Sequence, residues 1–369
     1  MSDAIWAFGT FVAALLAAAL TTPLVSRLAL ALGAIDRPNE RKVSLRRAMP
    51  LMGGLSVALG FLIGVSVALQ LVPADAGISD EIEPLLVGGL MMLGLGALDD
   101  RWGLSAWPKL AVQLAAAAFA ISHGTLIDHF TSPLSGEVLT FPTWLAWTAT
   151  TLWIVGVTNS INLIDGLDGL CTGVSAIITL ALTIVAYQAG HVAVVAAGLA
   201  LAGALLGFLP WNFPPARIFV GDTGALFIGY SLSILALEGY QKATVITFLV
   251  PLLALAVPLL DTTLSIVRRV RSGKGVMQAD RMHMHHRLLY EHHGDHRPAV
   301  LSLYGLTACF CLIAVSFTRL DGIASLVFLL VVALLTIRIL RNLGFASVED
   351  PGVPQATPDA TPPPERKTS

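Results

Sequence analysis

The sequence predicts an all-α fold, a polytopic membrane bundle of about ten or eleven transmembrane helices. Of the 369 residues, 55% are hydrophobic and 12% are charged, and the mean hydropathy is +0.77. A soluble globular domain carries about 25% charged residues, and its surface stays polar as the chain grows. Most of this surface must therefore face a lipid bilayer. The composition excludes a soluble enzyme, a disordered scaffold and a partner that is a nucleic acid.

Apolar runs mark the individual spans, since a helix needs roughly 20 apolar residues to cross the hydrocarbon core. The first run has no basic leader, so we expect a span there and not a secretory signal. Residues 1–343 are therefore expected to form one membrane-embedded domain, and the Pro- and Thr-rich residues 344–369 a disordered tail. The predicted spans are 5–27, 51–72, 84–98, 108–123, 143–158, 172–188, 191–208, 224–239, 244–267, 299–317 and 322–341.

The distribution of positive charge predicts the orientation. With alternating spans, all of the 22 basic residues except Lys242 and Arg319 fall on one side. That side is cytoplasmic by the positive-inside rule. The N-terminus is then outside the cell, and the polar motifs and the C-terminal tail are cytoplasmic. The outer segment 124–141 includes an alternating stretch that predicts a small hairpin or a segment lying on the membrane.

Carboxylates follow or precede several predicted spans on this cytoplasmic side. Asp99 and Asp100 end one apolar run, and Asp222 lies between glycines at the start of another. A divalent cation would relieve the repulsion between adjacent carboxylates, and Mg²⁺ typically takes one or two carboxylates together with substrate phosphates. The alternatives are a solvated helix end for the aspartate pair and a simple N-cap for Asp222.

The segment NSINLIDGLDGL, residues 159–170, repeats Asn or Asp every third residue. On a helical turn this spacing places Asn159, Asn162, Asp165 and Asp168 on one face. The intervening glycines permit close approach of the backbone to a ligand. A connector without function would rarely keep this period, so the segment predicts a polar binding surface.

Basic residues and histidines complete the cytoplasmic set. The loop AIDRPNERKVSLRRAMPLMGG, residues 34–54, indicates a phosphate-binding loop or ordinary positive-inside topology. Residues 283, 285 and 286 are histidines, which suit phosphate contacts, proton transfer or, less well without a nearby thiolate, zinc. Asp261, within a predicted span, is either functional or a brace for the cytoplasmic end of its helix.

These motifs resemble those of the polyprenyl-phosphate N-acetylhexosamine-1-phosphate transferases. DRPNERK, LDDR with the following Lys109 and Gln113, NxxNxxDGxDGL, FxGDxG and DRxHxHH occur in the family's order between Asp36 and His286. The resemblance implies transfer of a sugar 1-phosphate from a UDP-sugar to undecaprenyl phosphate, with release of UMP. It also implies a requirement for Mg²⁺, with Mn²⁺ as a substitute, and a location in the bacterial inner (plasma) membrane.

Two branches of the family differ in the sugar donor. The peptidoglycan branch, which uses UDP-MurNAc-pentapeptide, has TPTMGG and PLHHHFE where this chain has MPLMGG and HMHHRLL. The pattern at Asp280–His286 resembles the branch that uses UDP-GlcNAc and initiates O-antigen, common-antigen or teichoic-acid linkage synthesis. We therefore expect UDP-GlcNAc and undecaprenyl phosphate as substrates. UDP-MurNAc-pentapeptide and other UDP-N-acetylhexosamines remain alternatives, and the oligomeric state is open, a homodimer included.

The resemblance also assigns roles by position. Asp222 resembles the Mg²⁺ ligand, and Asp99, with Asp100 beside it, resembles the carboxylate that deprotonates or orients the lipid phosphate. These three aspartates are the expected catalytic residues and metal ligands. Uridine contacts are implied for Asn162, Asp165 and Asp168, with Phe219 stacking on the uracil and Asn212 nearby. Sugar and diphosphate contacts are implied for Arg281 and the three histidines. The expected substrate-binding residues are Arg41, Lys42, Lys109, Asn159, Asn162, Asp165, Asp168, Asn212, Phe219, Arg281, His283, His285 and His286.

Two departures from the family pattern stand out. Ser44 replaces a frequent histidine in the first loop, and Ala225 replaces a frequent serine after the GDxG motif. Neither change removes a carboxylate, so we expect the protein to be active. The two changes could shift its preference for the sugar or the lipid. A cation-coupled transporter is a remote alternative, disfavoured because the ionisable residues lie at span ends and not at the bilayer midplane. A lipid-binding scaffold without catalysis is disfavoured because all the expected carboxylates are present.

Overall fold

The computed structural model confirms an all-α polytopic membrane fold. It describes residues 2–36, 48–72, 78–131, 137–239, 245–271, 283–318 and 322–342. Six of the helices in them are long and apolar enough to cross a bilayer. The helices are α1 (Ser2–Leu32), α2 (Gly54–Leu71), α3 (Ile78–Trp102), α4 (Ala106–Ser122), α5 (Thr143–Leu163), α6 (Leu170–Ala189), α7 (Val192–Asn212), α8 (Gly221–Glu238), α9 (Val245–Ala254), α10 (Ala256–Arg271), α11 (Met284–Glu291), α12 (His296–Phe317) and α13 (Gly322–Asn342). The predicted tail, residues 344–369, lies outside the described ranges.

One predicted span differs in the structure. Within the predicted span 244–267, the described residues form two helices, α9 from Val245 and α10 from Ala256, which are separated at Leu255. Pro258 has no N–H to donate to the carbonyl of Ala254, so the helical hydrogen-bond ladder is interrupted at that point. The thiol of Cys311 on α12 approaches the same carbonyl, with Sγ 3.8 Å from the oxygen. A continuous apolar run therefore contains a break that places Asp261 on the second helix.

The described residues include two short antiparallel strand pairs. β1 (Ile35–Asp36) pairs with β2 (Met49–Pro50), beside the start of α2. β3 (His129–Thr131) pairs with β4 (Val138–Thr140), which confirms the hairpin predicted in the segment between α4 and α5.

Helix α8 is enclosed by neighbouring helices. Its residues are buried along almost the whole length of the helix, and it packs against α3, α5 and α2. Close crossings use glycine, as expected for membrane helices. A methyl group at Gly96 on α3 would overlap the backbone of Asp222 and Thr223, and one at Gly54 on α2 would overlap the backbone of Gly224. The first turn of α8 is thus confined by neighbouring helices.

Candidate active site

The ends of four helices meet at one end of the bundle. The last turns of α3 and α5 and the first turns of α4 and α8 bring together Asp99, Asn162, Lys109 and Asp222. Asp99 and Lys109 belong to one motif, whereas Asn162 and Asp222 come from distant parts of the sequence. The structure therefore brings the LDDR motif and its following lysine together with the NxxNxxDGxDGL and GDTG motifs.

Asp222 receives hydrogen bonds on both carboxylate oxygens. The Nζ atom of Lys109 lies 2.6 Å from Oδ2, and the Nδ2 atom of Asn162 donates to Oδ1 at 2.9 Å. Lys109 also forms an ion pair with Oδ2 of Asp99. The other oxygen of Asp99 accepts the backbone N–H of Leu104 at 2.6 Å. A single ammonium group thus occupies the space between two carboxylates.

Asp100 has a different environment from its neighbour Asp99. Its carboxylate accepts the backbone N–H groups of Asp222 (2.8 Å) and Thr223 (3.1 Å) and the hydroxyl of Thr223 (2.6 Å). The first N–H groups of a helix have no partner within the helix, and a negative charge there is favourable. Asp100 therefore caps α8 from the end of α3, although the sequence predicted a catalytic and metal-binding role for it.

Asp165 lies in the turn between α5 and α6. Desolvation raises the pKa of the Asp165 carboxyl well above its usual range, and the negative charges of Asp222, Asp100 and Asp168 raise it further. Of these carboxylates, Asp222 is paired with Lys109, and Oδ1 of Asp168 lies 3.9 Å from Nδ1 of His296.

The donor set fits a hard divalent cation. No group of three or more Asp, Glu, His or Cys side chains in the described ranges forms a ready-made metal site. Mg²⁺ does not require one, since it usually takes one or two carboxylates and completes its shell with water and phosphate oxygens. Asp99 and Asp222 converge on one ammonium nitrogen, which shows that their oxygens can face a common cation.

Three predicted substrate-binding residues form internal hydrogen bonds. Asn159 exchanges amide hydrogen bonds with Gln113, and the buried amide of Asn212 bonds Thr172 and the carbonyl of Ile218. Asp168 accepts the backbone N–H of Ala216 at 2.9 Å. These contacts join the segment 159–170 to α4 and to the loop before α8, and the roles of the three residues toward a substrate stay predictions.

Phe219 is held beside the first loop by its backbone. Its N–H donates to the carbonyl of Pro50 at 3.0 Å, and its carbonyl accepts the N–H of Gly53 at 2.9 Å. A methyl group at Gly53 would overlap that carbonyl and the ring of Phe208. The ring of Phe219 is half-buried. The glycine pair that ends the first loop thus serves a close backbone contact with the GDTG motif.

The histidine cluster divides into a buried and an exposed part. His283 and His285 are buried, whereas His286 is exposed. Burial, together with the neighbouring His286, lowers the pKa of His285 to about 3. The ring of His285 packs against Gly166, where a methyl group would overlap it. The cluster therefore contacts the segment 159–170 directly.

The remaining predicted residues, Arg41, Lys42 and Arg281, lie outside the described ranges, as does Ser44. Other contacts had no clear signal in the sequence. Tyr304 on α12 donates its hydroxyl to the carbonyl of Gly169 at 2.5 Å, and Arg297 donates to the carbonyl of Pro214 at 3.0 Å. Thr223 was part of the GDTG motif, but its hydrogen bond to Asp100 depends on the packing of α3 against α8.

Comparison with known proteins gives a consistent result. Residues 83–240 match the model for glycosyl transferase family 4. The chain is 40% identical over 308 residues to the probable undecaprenyl-phosphate N-acetylglucosaminyl 1-phosphate transferase of Bacillus subtilis (strain 168), covering 83% of each protein. It is 36% identical to the decaprenyl-phosphate N-acetylglucosaminephosphotransferase of Mycobacterium leprae (strain TN), covering 77% of this chain and 76% of that protein.

A similarity also extends to a peptidoglycan enzyme. The chain is 30% identical over 299 residues to the phospho-N-acetylmuramoyl-pentapeptide-transferase of Shouchella clausii (strain KSM-K16), covering 76% of this chain and 87% of that protein. On these matches and on the order of its motifs, the chain belongs to glycosyl transferase family 4, the family of the polyprenyl-phosphate N-acetylhexosamine-1-phosphate transferases.

Proposed function

We propose that this protein transfers N-acetylglucosamine 1-phosphate from UDP-GlcNAc to undecaprenyl phosphate and releases UMP. The observation that carries the proposal is the junction of Asp99, Lys109, Asn162 and Asp222 at one end of a membrane bundle. Phosphoryl transfer depends mainly on positioning and charge neutralisation, which such a junction supplies. The relative in Bacillus subtilis supports both the sugar and the carrier lipid.

The reaction needs a cation to offset the diphosphate charge. Asp222 and Asp99 would hold Mg²⁺, which neutralises charge on the phosphate oxygens when bound. Lys109 adds a fixed positive charge beside the same carboxylates.

The carrier lipid and the sugar nucleotide approach from different directions. Asp99, at the end of α3, is placed to accept a proton from the lipid phosphate or to orient it. A phosphate oxygen of the lipid then bonds to the phosphorus attached to the sugar, and the bond to UMP breaks. The segment that carries the Asn and Asp repeat, residues 159–168, is named the Asx turn, and it binds the uridine together with the ring of Phe219. His286, which is exposed, contacts the sugar and diphosphate.

The positive-inside distribution supports a site on the cytoplasmic face of a bacterial plasma membrane. UDP-sugars are water-soluble and polyprenyl phosphates are not, so the enzyme must work where the two phases meet. The B. subtilis relative is named for undecaprenyl phosphate and the M. leprae relative for decaprenyl phosphate, so both names specify a polyprenyl phosphate. Undecaprenyl phosphate is the carrier we propose here.

The test is UMP release by the purified protein. We expect release with undecaprenyl phosphate, Mg²⁺ and UDP-GlcNAc, and none after chelation of the metal. UDP-MurNAc-pentapeptide is the competing donor, favoured by the similarity to the Shouchella clausii enzyme. UMP release from that donor alone would assign the protein to the peptidoglycan branch. Absence of UMP release from both donors would refute the transferase proposal.

Asp222→Asn tests the assignment of the site. The change removes the carboxylate that Lys109 and Asn162 both contact, so we expect turnover to fall by about 100-fold or more. Folding should be retained because Asp100 still caps α8. Glu291→Gln, at the exposed end of α11, is the matched control and should keep wild-type turnover. Wild-type turnover in Asp222→Asn would contradict the metal assignment.

A further inference from the structure

Asp261 lies on α10 beneath the histidine cluster, outside the junction of Asp99, Lys109, Asn162 and Asp222. Its side chain is 3% exposed, and both carboxylate oxygens are occupied. Nδ1 of His283 lies 2.9 Å from Oδ2, and the backbone N–H of Met284 donates to Oδ1 at 2.7 Å. A buried carboxylate is costly unless it is hydrogen-bonded, so these two bonds account for its presence there.

The two bonds fix the start of α11. His283 is the residue before the helix, and Met284 is its first residue. The first N–H groups of a helix lack partners within the helix, so the carboxylate of Asp261 satisfies one of them from another element. The bond to His283 orients the imidazole at the same time, because an Nδ1–H that donates to a carboxylate defines both the tautomer and the ring plane.

From His283 a chain of ring contacts leads to the surface. The rings of His283 and His285 are nearly parallel, with an angle of 11° and centroids 5.6 Å apart. The rings of His285 and His286 have centroids 4.3 Å apart. His285 also packs against Gly166 in the Asx turn. An anchor on His283 therefore determines the position of the exposed His286 relative to that turn.

We infer that Asp261 is a positioning residue that docks the segment His283–His286 onto the Asx turn and so shapes the subsite for the sugar nucleotide. Asp261 is too deeply buried to touch a substrate itself, and it acts through His283 and His285. The kinetic part of this inference rests on the proposed function. The structural part, docking of the segment, is independent of any substrate.

The experiment compares Asp261→Ala and Asp261→Asn with wild type and with Glu291→Gln, whose exposed carboxylate ends the same short helix. Hydrogen exchange monitored by mass spectrometry reports on residues 283–291 without substrate. In Asp261→Ala we expect exchange there to speed up by about tenfold or more, with unchanged exchange in α3 and α8. Wild-type exchange of that segment would overturn the inference.

Kinetics separate positioning from a direct chemical role. In Asp261→Ala the KM for UDP-GlcNAc should rise by about tenfold, as for other side chains that orient a contacting group, while the KM for undecaprenyl phosphate stays unchanged. A loss of kcat with both KM values and the exchange at wild-type levels would mean direct participation and would overturn the inference.

Asp261→Asn keeps the inference testable if the alanine variant does not fold. Its carbonyl oxygen can still accept the N–H of Met284, whereas its amide group no longer accepts from His283. We expect near-normal exchange of α11 together with a raised KM for UDP-GlcNAc, and an unchanged KM would overturn the role of His283. If wild type releases no UMP, the proposed function fails, and the exchange comparison still decides the docking of the segment.

Discussion

At the scale of single residues, aspartates with similar sequence signals have different environments. Asp99 and Asp222 share the ammonium group of Lys109, so their oxygens face a common point. Asp100 and Asp261 instead accept backbone N–H groups at the starts of α8 and α11. The motifs could predict all of these carboxylates as candidate site residues. Which of their oxygens face a ligand depends on the packing of separate helices.

Replacement of Asp100 distinguishes capping from catalysis. Asp100→Ala leaves the first N–H groups of α8 and the hydroxyl of Thr223 without their acceptor, so we expect a loss of about 2 kcal/mol in stability. Asp100→Asn keeps one acceptor oxygen and should lose less. Thermal unfolding in detergent measures both, with Glu291→Gln as the control. A wild-type melting temperature combined with lost turnover in Asp100→Ala would favour the catalytic role that the sequence predicted.

His285 predicts a dependence of stability on pH. Its folded pKa, about 3, is below the ordinary value of 6.5, because burial and His286 disfavour the charged form, with His283 adding to this and Asp261 opposing it. The contribution of the neutral imidazole to the free energy of unfolding is fully present above pH 6.5. It is lost as the pH falls, and the loss is about 2 kcal/mol at pH 5. In His285→Asn the decrease in melting temperature between pH 7 and pH 5 should be smaller than in wild type. An equal decrease in both proteins would contradict a neutral, buried His285.

At the scale of elements, apolar composition predicts where the helices lie, and glycines determine how closely two helices approach each other. The apolar runs predicted where helices lie, but they did not predict the break between α9 and α10. Pro258 alone is not decisive, because α7 and α3 continue through Pro210 and Pro84. The Gly-rich stretch of α3 suits close packing of membrane helices, and the structure places Gly96 against the start of α8.

Two glycines of α3 provide a matched pair for this contact. A methyl group at Gly96 would overlap the backbone of Asp222 and Thr223, whereas one at Gly94 would have no atom within 4 Å. Gly96→Ala should therefore lower stability by about 1–3 kcal/mol and reduce turnover, because α8 must shift. Gly94→Ala should be neutral or slightly stabilising, since alanine favours helix. Equal melting temperatures and turnover in the two variants would refute the close contact.

At the scale of the whole molecule, the charge distribution predicts the sidedness of the site. We expect the outer hairpin to be extracytoplasmic and α11 cytoplasmic. Alkaline phosphatase folds only outside the cytoplasm, so a fusion after residue 141 should be active and a fusion after residue 291 inactive. The reverse pattern, or activity in both fusions, would refute the predicted orientation and with it the cytoplasmic site.

The amino-acid sequence by itself determined the membrane class, the family and the residue types of the site, because hydropathy and motif order are properties of the chain alone. Only the tertiary structure decided that Asp222 meets Lys109 and Asn162, that Asp100 caps α8, and that His283 is anchored by Asp261. These contacts join residues distant along the chain. They depend on how closely helices approach, and that distance is set by side-chain volume and backbone geometry at their crossings.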